Sequence, residues 1–422
     1  MPKHARDPEV STLSTLPVEK KGNKEQPQER IVEAVKDNAS LKVDLADSSQ
    51  AILTVEEAKL YDRQIRLWGM EAQQRMRNAR ILVAGCTGLA NEVLKNIVLA
   101  GVGSVTIADS QLVEARDLGA QFFLRESDIG NNRAESVLPR VQQLNPRVEV
   151  KTETRPLETL PESFLANFDI ISVIGASPNT IVSQGLDVDH ETISSSNTCD
   201  TMKLSANAVL LWLHLADLYQ QDKLNSIARA NNIAFWSASV FGTCGYVFSD
   251  LQEHNYTVLS HIQGQKELQH IPSSLSFCSF KDMLATVFNN PKIDKRWKRK
   301  AHPLYFAIRV VWGYQIKYQK YPDVNNEADM KLLTDMKEDL MIKLECDPIF
   351  VDAELLKDVA RMFLVEFPAT CAVLGGMLAQ ELLKVLSRNE SPIQNMLIYD
   401  SWEAVAQVMQ VSPASPSSIS QK

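Results

Sequence analysis

Paired cysteines are missing from this sequence. The chain has six cysteines in 422 residues, and none of them stands in a C-x-x-C pair. Scattered single cysteines fit a reducing compartment and argue against a zinc site. We therefore expect no metal bound to this chain.

An excess of positive charge and a long apolar run are also missing. The chain has 44 Lys and Arg against 52 Asp and Glu, a net charge of -8, which argues against nucleic acid as a main partner. No charge-free apolar run is long enough to span a bilayer, and the N-terminus lacks the apolar centre of a secretory signal. We expect a soluble globular protein with neither a membrane nor a nucleic acid as partner.

The stretch from Ala79 to Asp109 has the pattern of a nucleotide-binding unit. An apolar run predicts a buried strand, and it is followed by a turn with Gly85 and Gly88, an amphipathic helix, a second strand and then Asp109. Glycines let the backbone approach phosphates, which the helix N-terminus would face. Asp109 stands where such units place a ribose-binding carboxylate.

A dinucleotide fingerprint needs a third glycine, and Thr87 stands at its middle position. A glycine pair also occurs in α/β crossovers that bind no ligand. Taken alone, this stretch leaves both interpretations equally open.

Alternating strand and helix patterns predict an α/β fold with a Rossmann-like, mostly parallel sheet and helices on both faces. In the closing part, the apolar segment Ala369–Leu378 predicts a helix buried all round, in which Gly375 and Gly376 permit close approach of another backbone. The predicted divisions are a disordered tail (1–50), a first α/β part (54–253), a small, mainly helical inserted subdomain (254–347), a closing α/β part (348–405) and a flexible tail (412–422).

Two segments carry open alternatives. The basic run at 292–300 is either a patch for nuclear import or an anionic partner, or a solvated helix face. The segment at about 184–222 is an atypical insertion, because compact domains rarely contain such loops. It is either a surface insertion or translated non-coding sequence.

Four motifs are separated along the chain. They are YDRQIRLWG (61–69), the glycine turn with its helix, VFGTCGYVFSDL (240–251) and PATCAVLGGMLAQELLK (368–384). In this order they resemble the enzymes that activate ubiquitin-like proteins, and the resemblance, which covers about 56–400, is strongest to the smaller, Aos-type subunits of SUMO-activating enzymes.

This resemblance implies an inactive copy of the ThiF/MoeB-like adenylation fold. It implies a heterodimer in which the larger catalytic subunit binds ATP and Mg, adenylates a SUMO-type modifier and carries it as a thioester. No cofactor is expected on this chain alone, and the implied location is the nucleus, with a cytoplasmic pool as the alternative.

The same resemblance implies a degraded ATP site. Gly119-Ala120 replaces an Asn-Arg pair that contacts phosphate, and Arg133 replaces a lysine. The loop at 176–179 has no carboxylate for Mg-ATP. Gly85, Gly88, Asp109 and Arg133 are therefore interpreted as vestiges of a site that is no longer intact.

No cysteine stands in a recognisable catalytic motif. Cys278 is the only one in a predicted loop of the inserted subdomain, and a buried structural cysteine is the better interpretation of it.

One arginine gains a role from the resemblance. In the family, the arginine of the Y-D-R-Q motif, which is Arg63 here, reaches the ATP phosphates in the partner's active site. Its planar charged fork suits the neutralisation of charge as pyrophosphate leaves. For Arg66, this role and a solvated helix face remain balanced.

Three other functions remain as alternatives. The first is a nicotinamide-dependent oxidoreductase, and the absence of the middle glycine and of a Tyr/Lys or His proton-transfer motif from this chain argues against it. A free-standing adenylating enzyme would need the lost phosphate ligands. The equivalent subunit for another ubiquitin-like modifier shares Y-D-R-Q and is the nearest alternative.

Overall fold

The computed structural model describes residues 53–175, 216–261, 268–288, 301–318 and 320–412. The predictions for the N-terminal tail, the loop at 176–179, the basic run at 292–300 and all but the first residue of the C-terminal tail lie outside these ranges. Most of the insertion at 184–222 also lies outside them, and its last residues, 216–222, belong to a helix.

The secondary structure alternates between helices and strands along the chain. The helices are α1 (Val55–Leu60), α2 (Asp62–Trp68), α3 (Met70–Asn78), α4 (Gly88–Ala100), α5 (Arg133–Leu144), α6 (Glu162–Leu165), α7 (Ala216–Ala230), α8 (Phe280–Ala285), α9 (Pro303–Tyr318), α10 (Glu327–Lys343), α11 (Ala353–Met362) and α12 (Pro368–Ser387). The strands are β1 (Arg80–Ala84), β2 (Ser104–Ala108), β3 (Glu149–Glu153), β4 (Ile170–Ile174), β5 (Ala234–Phe241), β6 (Cys244–Asp250), β7 (Glu253–His261), β8 (Leu268–Ser276), β9 (Met396–Asp400) and β10 (Val405–Met409).

The chain divides into two compact units, Met1–Asp62 and Arg63–Lys422. In the first, α1 begins with a capping box. The Thr54 hydroxyl accepts from the Glu57 amide at 3.2 Å, and the Glu57 carboxylate accepts from the Thr54 amide at 2.9 Å. These two bonds satisfy amides that a helix start would otherwise leave unpaired.

The second unit contains a sheet of eight strands in the order β10-β9-β6-β5-β4-β1-β2-β3. Strands β3, β2, β1, β4 and β5 are parallel to one another, whereas β6, β9 and β10 add antiparallel pairs beside β5. The predicted α/β class is confirmed. The parallel strands β1, β2 and β4 end at the same edge of the sheet, where open α/β sheets bind ligands.

Both faces of the sheet are buried under helices, as predicted. Side chains alternate along β1, so that Leu82 enters one core with α7 and α9, while Ile81 and Val83 enter the other with α4, α5 and α12. Strands buried on both faces explain why the sequence shows continuous apolar runs here.

The turn after β1 depends on a glycine at its first position. Gly85 has a φ of +97°, and a Cβ added there would lie 2.1 Å from the carbonyl oxygen of Ile174 on β4. Thr87 then caps α4 by accepting from the Ala90 amide at 3.2 Å. Backbone geometry and close strand packing therefore require Gly85 whether or not a ligand binds.

Replacing Gly85 by alanine is expected to destabilise the fold by about 3 kcal/mol, because alanine is strained at this positive φ and its Cβ would clash with the Ile174 carbonyl. Gly119→Ala is the matched control, since a Cβ there would meet nothing within 4 Å. Urea unfolding of the two variants measures the difference, and equal midpoints would contradict this account.

Helix α12 corrects one prediction. It crosses α4 closely at Gly375, where an added Cβ would lie 2.5 Å from Glu92 Cβ, but Gly376 has nothing within 4 Å. The prediction of burial all round is wrong, because Ala369, Ala372 and Val373 are exposed. Alanine and valine make the whole surface of this part of the helix apolar, so the sequence does not indicate which side packs.

Helix α12 is long and apolar enough to cross a membrane by length and composition alone. Half of its apolar stretch is buried inside the protein.

The segment at 254–347 begins with strands that its pattern did not predict. β7 and β8 pair as an antiparallel hairpin, and α8, α9 and α10 follow. Helix α9 lies in the same apolar core as Leu82 and Phe235 of the sheet. The helices of this segment are therefore joined to the sheet through shared apolar packing.

His254 on β7 is buried, and burial followed by the nearby Arg388 charge lowers its pKa from 6.5 to about 4. The unfolded chain takes up this proton first as the pH falls, so stability is expected to decrease between pH 6.5 and about 4, by at most about 1.4 kcal/mol per pH unit. His254→Phe can keep the stacking on Tyr256 without titrating. Urea midpoints across this pH range should fall more steeply for the wild type, and parallel curves would contradict the assignment.

Candidate functional site

A cavity of about 240 Å³ opens where β1, β2 and β4 end. Ala84, Ala108 and Gly175 bring the three strand ends to its wall, together with Asp109 from the end of β2. Of the residues predicted as vestiges of a nucleotide site, Gly85, Asp109 and Arg133 line this cavity, and Gly88 begins the helix beside it.

Asp109 is bound to the backbone around it. One carboxylate oxygen accepts from the Cys86 amide at 2.7 Å in the glycine turn, and the other accepts from the Gln111 amide at 2.8 Å. Burial is the largest influence on this group and raises its pKa. The carboxylate therefore holds the turn against the strand that follows.

The start of α4 is occupied by a carboxylate from a distant part of the chain. Glu366, which precedes α12, accepts from the Gly88 amide at 2.8 Å and from the Leu89 amide at 3.3 Å. Burial raises the pKa of Glu366, and hydrogen bonds from these amides oppose that rise. Helix N-termini bind anions through such amides, so the anion here is supplied by the protein itself.

Gly88 packs against Ala120, in the short segment that follows β2. A Cβ on Gly88 would lie 2.7 Å from the Cβ of Ala120. The small side chain at position 120 is thus matched to the glycine, and the two residues close that side of the turn by direct contact.

Arg133 is engaged in a buried ion pair. Its Nε and Nη2 donate to the two oxygens of Asp117 at 2.8 and 2.9 Å, and its Nη1 donates to Gln111 at 2.6 Å. Both side chains of the ion pair are only 8% exposed. A bidentate pair of this kind uses the guanidinium fork that would otherwise contact phosphate.

The other two arginines on the cavity wall are also paired with acids. Arg116 contacts Glu114 at 2.8 Å, and Arg155 contacts Glu153 at 2.7 Å. Each arginine lining the described cavity is therefore paired with an acid, and three carboxylates also line it, those of Asp109, Asp117 and Glu366. In this arrangement the residues do not fit the phosphate chain of a nucleotide.

Arg63 does not line this cavity. It is exposed on α2 and makes no side-chain hydrogen bond or ion pair with the described residues. The end of the same helix is anchored, because Trp68 donates to Gln73 at 3.1 Å and its carbonyl accepts from Asn389 at 2.5 Å. Gln73 continues to the carbonyl of Ala100 at the end of α4. An exposed charge thus stands on a firmly held helix.

Four of the five cysteines in the described part of the chain lack the features of a reactive thiol. Cys278 is half-buried between Asn395 and the carbonyl of Val411, each 3.0 Å from its Sγ, and burial raises its pKa to about 12. Burial also raises the pKa of Cys244, to about 11, and that of Cys86 and Cys371. A raised pKa leaves almost no nucleophilic thiolate near neutral pH.

One group of described side chains has the proximity that a metal site needs: His302, Asp400 and Glu403. However, Nδ1 of His302 accepts from the Leu304 amide at 3.3 Å. In neutral histidine this places the proton on Nε2, the atom nearest Glu403, so no lone pair is offered to a metal there. His302 Nε2 instead lies 3.5 Å from a carboxylate oxygen of Glu403.

The sequence did not indicate Glu366 or Asp117 as part of this site. Glu366 lies 278 residues from the amide that it binds, and no local pattern reports such a contact. For Asp117 the sequence carries a weak signal, an acid three residues after Glu114, which is the spacing of a capped turn. In the structure the Asp117 carboxylate accepts from the Glu114 amide at 2.9 Å. That capping pattern predicts a turn but not the partner Arg133.

Known proteins resemble this chain over most of its length. The ThiF family model matches residues 61–178. SUMO-activating enzyme subunit 1 of Rattus norvegicus is 33% identical over 368 residues, which cover 82% of this chain and 92% of the relative. The protein of that name from Homo sapiens is 32% identical, with 82% and 93% covered, and that from Danio rerio is 29% identical, with 85% and 96% covered. The glycine turn, its helix and the anchored Y-D-R-Q helix all lie within the matched ThiF segment, and the chain belongs to the family of SUMO-activating enzyme subunit 1.

Proposed function

We propose that this chain is the non-catalytic subunit of a heterodimeric enzyme that activates a SUMO-type modifier by adenylation and thioester formation. The observation that carries the proposal concerns the chain's own phosphate cradle, which consists of the turn at Gly85, the start of α4 and Asp109. Glu366 occupies the N-terminus of α4 in this cradle, and Asp117 holds the side chain of Arg133. The names of its relatives support the choice of SUMO over another ubiquitin-like modifier.

In this proposal ATP and Mg bind to the larger catalytic subunit, and Arg63 completes that subunit's site from outside. The exposure of Arg63 and the anchoring of α2 support this role, since a guanidinium on a rigid helix loses little freedom when it meets phosphate. Its fixed positive charge would neutralise the charge that develops as pyrophosphate leaves.

An exposed apolar surface supports a protein partner. Leu364, Val365 and Phe367 before α12, and Val373 on its first turns, are 41 to 49% exposed. Apolar side chains grouped in this way are typical of surfaces that another protein covers. We infer that this group belongs to the contact with the larger subunit.

Modifier-dependent exchange between ATP and pyrophosphate tests the proposal. The assay combines the purified chain, the larger subunit, Mg-ATP, labelled pyrophosphate and either SUMO or another ubiquitin-like modifier. We expect exchange only when both subunits and SUMO are present, because acyl-adenylate formation is reversible. Exchange by this chain without the larger subunit, or equal exchange with another modifier, would contradict the proposed function.

We also propose a nuclear location, with a cytoplasmic pool as the alternative, and we propose that the basic run at 292–300 serves nuclear import. Replacing the lysines and arginines of this run by glutamine in a fluorescent fusion should shift the protein to the cytoplasm. An unchanged nuclear signal would contradict a role of this run in nuclear import.

A further inference from the structure

We infer that Glu366 is the residue that excludes nucleotide phosphates from this chain. Its carboxylate binds the two amides at the start of α4, Gly88 and Leu89, one through each oxygen. Those amides are the groups that a phosphate would use at a helix N-terminus. The inference rests on the proposed function, because it explains why nucleotide would bind only to the other subunit.

Occupancy and charge both contribute to the exclusion. The backbone around the site retains the form of a cradle, with the left-handed turn at Gly85, a 13-residue helix and Asp109 holding the turn. A bound carboxylate interacts favourably with the helix dipole and repels a second anion that approaches the same amides. The protein thus carries its own ligand in the anion position.

The buried Arg133–Asp117 pair plays a different part. It removes a cation that would strengthen phosphate binding, but it does not occupy the helix N-terminus. Removing the Glu366 carboxylate should therefore restore weak anion binding even while Arg133 stays paired. No other change to the cradle is needed for this effect.

The segment around Glu366 has a second attachment. The carbonyl of Val365 accepts from the Gly242 amide at 2.7 Å, which ties the segment to the turn between β5 and β6. This bond is independent of the Glu366 side chain. The segment is therefore expected to keep its path when that side chain is shortened.

The test is calorimetric titration of the full-length chain with sodium tripolyphosphate, and with ATP in the absence of Mg. The variants are Glu366→Ala, which removes the carboxylate, and Glu366→Gln, which removes only the charge. Glu338→Gln, at an exposed position on α10, is the control for net charge. Thermal melting of each variant shows whether it is folded.

Glu366→Ala should bind tripolyphosphate at least about tenfold more tightly than the wild type, and Glu366→Gln about threefold more tightly. Glu338→Gln should match the wild type. Equal affinity of the wild type and folded Glu366→Ala, or the same gain in Glu338→Gln, would overturn the inference. If Glu366→Ala does not fold, Glu366→Gln decides, and no gain in that variant would overturn it.

A negative result here is separable from a failure of the proposed function. The exchange assay on the wild-type subunits does not depend on anion binding to Glu366 variants. A mixture that activates SUMO while no variant gains affinity contradicts only the inference. Wild-type subunits that show no exchange together contradict the proposed function, whatever the variants bind.

Discussion

Replacing Arg63 by alanine is expected to reduce SUMO thioester formation by the heterodimer about 10³-fold. An arginine supplied in trans to a phosphoryl or pyrophosphate leaving group contributes on the order of 10³ to 10⁵ in rate. The loss should appear mainly in kcat, since the charge that Arg63 would meet develops during the reaction. Single-turnover kinetics under saturating ATP measure this directly.

Two controls separate the role of Arg63 from a general effect on the subunit. Arg63→Lys keeps the charge but loses the planar fork, and should recover only part of the rate. Arg147→Ala removes an exposed arginine in the α5–β3 loop and should leave the rate unchanged. Assembly with the larger subunit, followed by gel filtration, should be normal for all three variants. A wild-type rate in Arg63→Ala would remove the proposed role.

Replacing Asp117 by alanine is expected to destabilise the chain by about 3–5 kcal/mol. Arg133 would then remain buried without a counter-charge, and an unpaired buried ion is far more costly than the absence of the whole pair. Urea unfolding of the full-length chain measures the change.

The double variant Asp117→Leu with Arg133→Met is the matched control. It removes both charges and fills a similar volume, so most of the lost stability should return. If Asp117→Ala alone were as stable as the wild type, the ion pair would not be the element that holds this part of the cradle.

The sheet and its glycine turn were readable from sequence because their signals are local. Apolar runs predict β1, β2 and β4, and a glycine pair with an amphipathic helix predicts the turn and α4. The hairpin β7–β8 escaped prediction, because residues such as Glu253, Asn255 and Ser273 carry no clear alternation. Pairing between two such strands follows from tertiary packing.

The candidate site was only partly readable. The pattern of the sequence pointed to Gly85, Gly88 and Asp109, the resemblance added Arg133, and the structure brings the four residues to one edge of the sheet. Their description as vestiges, and the role of Arg63, remain predictions. Glu366 could not be found from sequence, because an acidic residue before a helix has many possible partners and its contact spans most of the chain.

Intact-mass analysis after one round of activation tests the central claim most directly. The chain is incubated with SUMO, ATP and Mg, with and without the larger subunit, and each polypeptide is weighed under non-reducing conditions. We predict that the modifier's mass appears as a thioester on the larger subunit alone, and that this chain gains no mass in either sample. A thioester on this chain in the absence of the larger subunit would contradict the assignment of a non-catalytic role.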